Sequence, residues 1–173
     1  MRTLIVLALS ALALPALAAD LNDPQIATVA LTANDIDIAR GKMALSKTKN
    51  PEVKQFAQQM VDDHGAAKQE ELALAKKLGV KPQESDVTKS LKKAAADQKK
   101  ELSKLSGAAF DKRYIDIEVG YHEAVIGAVK DTLIPGAKNA ELKAALTNAV
   151  PTFEGHLAHA KNVQASLAGS AAK

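Results

Sequence analysis

The residues best suited to chemistry in this sequence are its four histidines, His64, His122, His156 and His159. Three of them fall where helical periodicity expects core. His64 follows Met60 by four residues and precedes Ala67 by three. His156 continues a stripe of Leu142, Leu146, Ala149, Phe153, Ala160, Val163 and Leu167 at 3-4 spacing, and His122 lies between Val119 and Ile126 on a similar stripe. Carboxylates can join them. Glu118 stands one turn before His122, Asp37 extends the small-residue stripe of Ala30 and Ala33 with Ala44 beyond, and Glu71 follows His64 by two turns. Imidazole nitrogen with one or two carboxylate oxygens suits Zn²⁺, Fe²⁺ or Mn²⁺, and the core of a helical bundle can hold such ligands. The candidate metal ligands are therefore His64, His122, His156, Glu118 and Asp37, with Glu71 a weaker member. The competing reading is structural: a buried histidine stays neutral and is satisfied by a tyrosine hydroxyl, a carboxylate or a carbonyl freed near Pro151.

A short internal echo bears on how these residues meet. Phe56 is followed by Met60, Val61 and His64, and Tyr114 by Glu118, Val119 and His122, at matching offsets. Two helical hairpins related by a pseudo-twofold axis would each direct one imidazole into a shared middle.

Composition limits the other chemistries. The 173 residues contain no cysteine, which removes disulfides, thiolate metal sites, iron–sulfur ligation and cysteine nucleophiles. Aromatic content is 3% with no Trp, and a formal charge of +3 is spread over a mixed-sign sequence, so a nucleic-acid partner is not expected. There is no glycine-rich phosphate loop with a strand before it, and neither nucleotide nor haem is expected. Ser46, Ser103 and Ser106 lack a nucleophile elbow, so no catalytic residue is assigned and a non-enzymatic role is favoured.

The elements that must position the site read as helices throughout. Arg2 and an apolar run from Leu4 to Leu14, then Pro15 and Ala16-Leu17-Ala18, form the pattern of a secretory signal peptide over residues 1–19. No later stretch suits a transmembrane anchor, so the mature protein is expected in the periplasm or secreted. The spacing predicts a first helix from Asp23, as cap, and Pro24 to about Thr48. A second runs from Pro51, capped by Asn50, to Gly79. A third segment spans Ser85 to about Leu105, with a lysine-rich solvated face. A fourth runs from about Ala109 to Thr132 and stops at Pro135-Gly136, and the last from about Asn139 to Leu167, kinked or split at Pro151. Residues 169–173 should fray. The simplest packing over residues 20–168 is four long helices with an additional short helical segment in the second crossover; a segmented array of helical hairpins is the alternative.

Three segments carry a family likeness. Asn50-Pro51-Glu52-Val53-Lys54-Gln55-Phe56-Ala57-Gln58-Gln59-Met60-Val61-Asp62-Asp63-His64 resembles the DUF4142 family of small exported bacterial proteins. So do Phe110-Asp111 with Tyr114 and His122-Glu123, and Pro151-Thr152-Phe153-Glu154-Gly155-His156-Leu157. The resemblance implies an all-α, ferritin-like four-helix bundle without an established common activity. Diiron bundles carry Glu-x-x-His on two helices. This chain has none, and Asp62, Asp63 and His64 are consecutive and cannot share one face, so ferroxidase chemistry is not expected. Two functions remain from the sequence: an exported bundle binding a transition metal, or a non-catalytic envelope or stress protein binding another protein or a small apolar ligand. The oligomeric state is left open.

Overall fold

The structure is a computed structural model and describes residues 21–171; the expected signal peptide lies outside the described residues. It is an all-α helical bundle, with no strand among the described residues. Its helices are α1 (Asp23–Lys47), α2 (Pro51–Lys77), α3 (Asp86–Ser103), α4 (Gly107–Ala128), a three-residue α5 (Ile134–Gly136) and α6 (Ala140–Ala171). Helices α1 and α2 form one antiparallel hairpin and α4 and α6 the other, while α3 rides in the crossover against α1 and α4. The additional segment expected between the second and third long helices is α3.

The helix ends follow from local chemistry. Asn50 Oδ1 accepts from the backbone N–H groups of Glu52 and Val53, and Pro51 takes the first position of α2, where its missing N–H costs nothing. Gly79 ends α2 with φ +64°, and Val80 N–H returns to the Ala75 carbonyl at 2.9 Å, the pattern that favours glycine at that position. The start of α1 differs from expectation. Asn22 is its cap, with a reciprocal pair to Gln25, while Asp23 begins the helix and its carboxylate accepts from the N–H groups of Lys138 and Asn139 at 2.8 and 2.9 Å. An aspartate expected to cap its own helix thus fastens the turn before α6.

Two later helices also differ from expectation. The fourth helix does not stop at Thr132: a π-helical turn, Val129–Leu133, carries it into α5, with Ile134 N–H bonding the Val129 carbonyl. That wider turn lets the chain stay helical into Pro135, which has no N–H to give. The last helix continues through Pro151 to Ala171 without splitting. Pro151 is exposed, so the carbonyl that it deprives of a donor is on the side that water reaches.

Apolar packing falls into two clusters. One gathers Ala44, Val53, Phe56, Met60, Leu102, Phe110, Tyr114, Ala160 and Val163. The other gathers Ile26, Val29, Leu91, Tyr121, Val129, Leu133, Leu142 and Leu146. The second is incomplete on one side. There the latter half of α2 and the first half of α6 stand over α1 and α4 around a half-open cleft of about 1430 Å³.

Candidate metal centre

The histidines expected to share a site do so. His64 comes from α2, His122 from α4 and His156 from α6, and all three are buried. Ring centroids are 5.1 Å apart for His64 and His156, 5.4 Å for His122 and His156, and 5.9 Å for His64 and His122. A ligating nitrogen from each lies within 4.8 Å of the others. The internal echo is visible as contact across the bundle: His64 meets His122, and Phe56 meets Tyr114 edge to face at 6.1 Å. His122, however, belongs to a buried stripe of Tyr114, Ile115, Glu118 and Tyr121, not to Val119 and Ile126, which are only half-buried. His159 stands apart, bonded to Gln59 Oε1 and packed on Phe56.

Each imidazole of the cluster is anchored through one nitrogen. His64 Nδ1 faces Asn34 Oδ1 at 2.7 Å; because Asn34 Nδ2 donates to Glu71, that oxygen accepts, and Nδ1 carries the proton. His122 Nδ1 donates to the Glu118 backbone carbonyl at 2.9 Å. His156 Nε2 donates to the Asp63 carboxylate at 2.8 Å. In the neutral rings the remaining nitrogens, His64 Nε2, His122 Nε2 and His156 Nδ1, are lone pairs. All three are buried without a hydrogen-bond partner among the described residues. Burial lowers the pKa of His64, and lowers that of His122 to about 4, so both rings are neutral at pH 7. The Phe153 ring stacks on His64 with centroids 6.0 Å apart.

Asp37 and Glu118 also reach the cluster, and with His122 they form a second convergent set, again with ligating atoms within 4.8 Å. Between the two carboxyls lies Arg40, 2.8 Å from Asp37 Oδ1 and 3.2 Å from Glu118 Oε1, its guanidinium 4.0 Å over the Tyr121 ring. Burial opposes ionisation of Asp37, but Arg40, then His64 and His122, outweigh it and hold the carboxyl below its ordinary value. Burial pushes Glu118 well above its ordinary value; Arg40 offsets part of this and the neighbouring Asp37 adds to it. One cation beside two buried carboxyls thus favours ionisation of Asp37 over that of Glu118. Asp37 Oδ2 is 3.4 Å from His64 Nε2.

Sequence reasoning missed three contributors. Arg40 lies one turn beyond Asp37 on the buried face of α1, where a charged residue on an apolar stripe was the available signal. Asn34, one turn before Asp37 on the same face, orients His64. Asp63 does not share a face with His64, as its position dictates; it reaches His156 from α2 instead. Glu71 binds Asn34 at 2.9 Å and is held off the three imidazoles. Neither tyrosine satisfies a histidine: Tyr121 donates to the Ala33 carbonyl, and Tyr114 OH has no partner among the described residues.

The chain belongs to the DUF4142 family, a domain of unknown function whose family pattern matches residues 8–163. No curated protein and no solved structure matches it.

Proposed function

We propose that this chain is an exported, ferritin-like bundle that binds one divalent transition-metal ion through His64, His122 and His156, with Asp37 as the carboxylate donor. The observation that carries the reading is the triangle of unpartnered lone pairs. Each imidazole gives one N–H to an outward oxygen, so the three lone pairs of the neutral rings could not satisfy one another, and the centre they face suits a cation. The outward acceptors Asn34, the Glu118 carbonyl and Asp63 act as the oxygens behind metal-bound histidines commonly do, fixing tautomer and ring orientation. Three nitrogens and one carboxylate oxygen favour Zn²⁺ or Fe²⁺ over Mn²⁺. The ferritin-like assignment draws support from the single long crossover, which carries α3 between two hairpins. No helix among the described residues is long and apolar enough to cross a membrane.

Calorimetry and elemental analysis of the mature chain test the metal. One Zn²⁺ or Fe²⁺ per chain is expected, with affinity falling at least about tenfold in His64→Ala and in His122→Ala. Metal in excess should raise the melting temperature of the wild type, by about 2.7 kcal/mol of stability at a hundredfold excess over Kd. Less than about 0.1 ion per chain, unchanged in His64→Ala, removes the site. Amino-terminal sequencing of protein from the envelope fraction tests export, with mature chains beginning at about residue 20 expected.

A further inference from the structure

The cleft beside the histidines is far larger than a metal ion needs. Its volume, about 1430 Å³, exceeds the roughly 300–1,000 Å³ usual for small-molecule sites. His64 and Leu78 both line it, and the fourteen residue steps from one to the other give it a length of about 21 Å. Its walls are aliphatic and mostly small, including Ala67 and Leu74 from α2, Val125 from α4 and Ala149 from α6. Its rings are Phe153 and Tyr121 and, beside the metal centre, the imidazoles of His64 and His122.

Charge makes the cleft selective. The chain as a whole is +3, yet six acidic side chains line this cleft against one lysine, Lys138. Of the six, Asp63 is bonded to His156, Asp37 to Arg40 and Glu141 to Lys77. Glu70, Glu71 and Asp131 have no basic side chain within salt-bridge distance among the described residues. Glu71 is set apart from the other two by its surroundings. It is half-buried against the cleft wall, one oxygen is fixed by Asn34 at 2.9 Å, and burial raises its pKa to about 7. A carboxyl held in an apolar wall without a cation is complementary to one that arrives with the ligand.

We propose that the cleft binds a cationic amphiphile, an unbranched aliphatic chain bearing one protonated amine, with the ammonium paired to Glu71 and the hydrocarbon laid along the aliphatic walls. An aliphatic carboxylate would place its charge among unpaired acids, and a polyamine would leave the apolar walls uncovered. This pairing does not rest on the metal reading: Glu71 is anchored to Asn34 and is not one of the proposed ligands, although His64, His122 and Asp37 line the same cleft.

Calorimetry with decylammonium, below the concentration at which it aggregates, tests the proposal on the metal-free mature chain. Decylammonium is expected to bind, with decanoate and spermidine each at least about tenfold weaker. Glu71→Gln keeps the Asn34 bond and the shape of the side chain, and should cost about tenfold in decylammonium affinity while leaving Zn²⁺ binding unchanged. His122→Ala should do the reverse. Ala149→Leu, which narrows the cleft without touching a charge, should also weaken decylammonium, and it decides the matter if Glu71→Gln does not fold. Decanoate binding as tightly as decylammonium would overturn the proposal, as would full affinity in folded Glu71→Gln and in Ala149→Leu. A loss of amine binding in His122→Ala with none in Glu71→Gln would move the ammonium onto the imidazoles and refute the Glu71 pairing. Sedimentation showing a dimer that excludes the amine would give the cleft to a second copy of the chain.

Discussion

The two halves of the bundle are built from the same long helices and packed differently. In the half near the α1–α2 connection, Val53, Phe56, Met60, Leu102, Phe110, Tyr114 and Ala160 are all 0% exposed. In the other half Leu91, Leu142, Leu146 and Val150 keep 6–9% exposure, and the latter part of α2 stands away from α6 to form the cleft. The three histidines lie at the seam. Tight packing on one side fixes where α2, α4 and α6 present their imidazoles; looser packing on the other leaves an approach to them. A site held to rigid elements beside a region of lower packing density is a workable arrangement for binding.

The largest test of this contrast is a pair of truncations. Phe56→Ala removes a fully buried ring from the closed half, where its neighbours cannot collapse, and should cost about 3–5 kcal/mol. Leu146→Ala removes a side chain that already borders the cleft, and should fall at the low end of such changes, about 2 kcal/mol. Denaturant unfolding of both variants measures the gap. Equal losses would mean that the open half is packed as firmly as the closed one.

Acid should separate the seam from the closed half. His122 has a folded pKa of about 4 against an ordinary 6.5, because burial disfavours its charged form. Below pH 6.5 the unfolded chain therefore takes up a proton that the folded chain refuses, and stability is lost as the pH falls toward 4, by about 3 kcal/mol for the full shift. Glu71 acts in the opposite sense. Burial raises its pKa to about 7, so its contribution is present below the ordinary carboxyl value and is lost as the pH rises through 7. In metal-free protein, His122→Asn should flatten the decline between pH 6.5 and 4, whereas Phe56→Ala should shift the whole profile downward with its slope intact. Thermal melts at four pH values compare them, and parallel profiles for His122→Asn and wild type would contradict the assignment.

How much of this was legible in the sequence depended on whether the signal was local. Helix starts and stops at Asn50-Pro51 and Gly79 are written in one or two residues, because a cap or a positive φ is satisfied within a turn. The stripes carrying His64 and His156 are equally local, since burial follows a 3-4 period. Arg40, Asn34 and Asp63 were not legible, because each gains its role from a residue 30 to 93 positions away or from a charge on another helix. The stripe of α2 also reads the same along its length, from Val53 through His64 to Leu78. Only its distance from α6 makes the first half core and the second half cleft wall, and that distance is a property of the assembled bundle. The stop at Pro135-Gly136 was local and legible, since the helix ends at Gly136, whereas the π turn that carries the chain past Thr132 into it was not.

The smallest expected effects come from two glycines, and their signs should be opposite. Gly41 lies where α1 packs closely on α2: a Cβ there would stand 2.9 Å from the Ala57 carbonyl oxygen and 2.9 Å from Val61 Cγ2. The backbone oxygen cannot turn aside, so Gly41→Ala must push the helices apart and should cost about 1–3 kcal/mol. Gly127 lines the cleft from α4, and a Cβ there meets nothing within 4 Å. Gly127→Ala should stabilise the protein by about 0.5–1 kcal/mol through helix propensity alone, with no clash to offset it. If Gly127→Ala instead destabilised the chain, α4 and the elements facing it across the cleft would have to close together in solution, and the contrast between a sealed half and an open half would be lost.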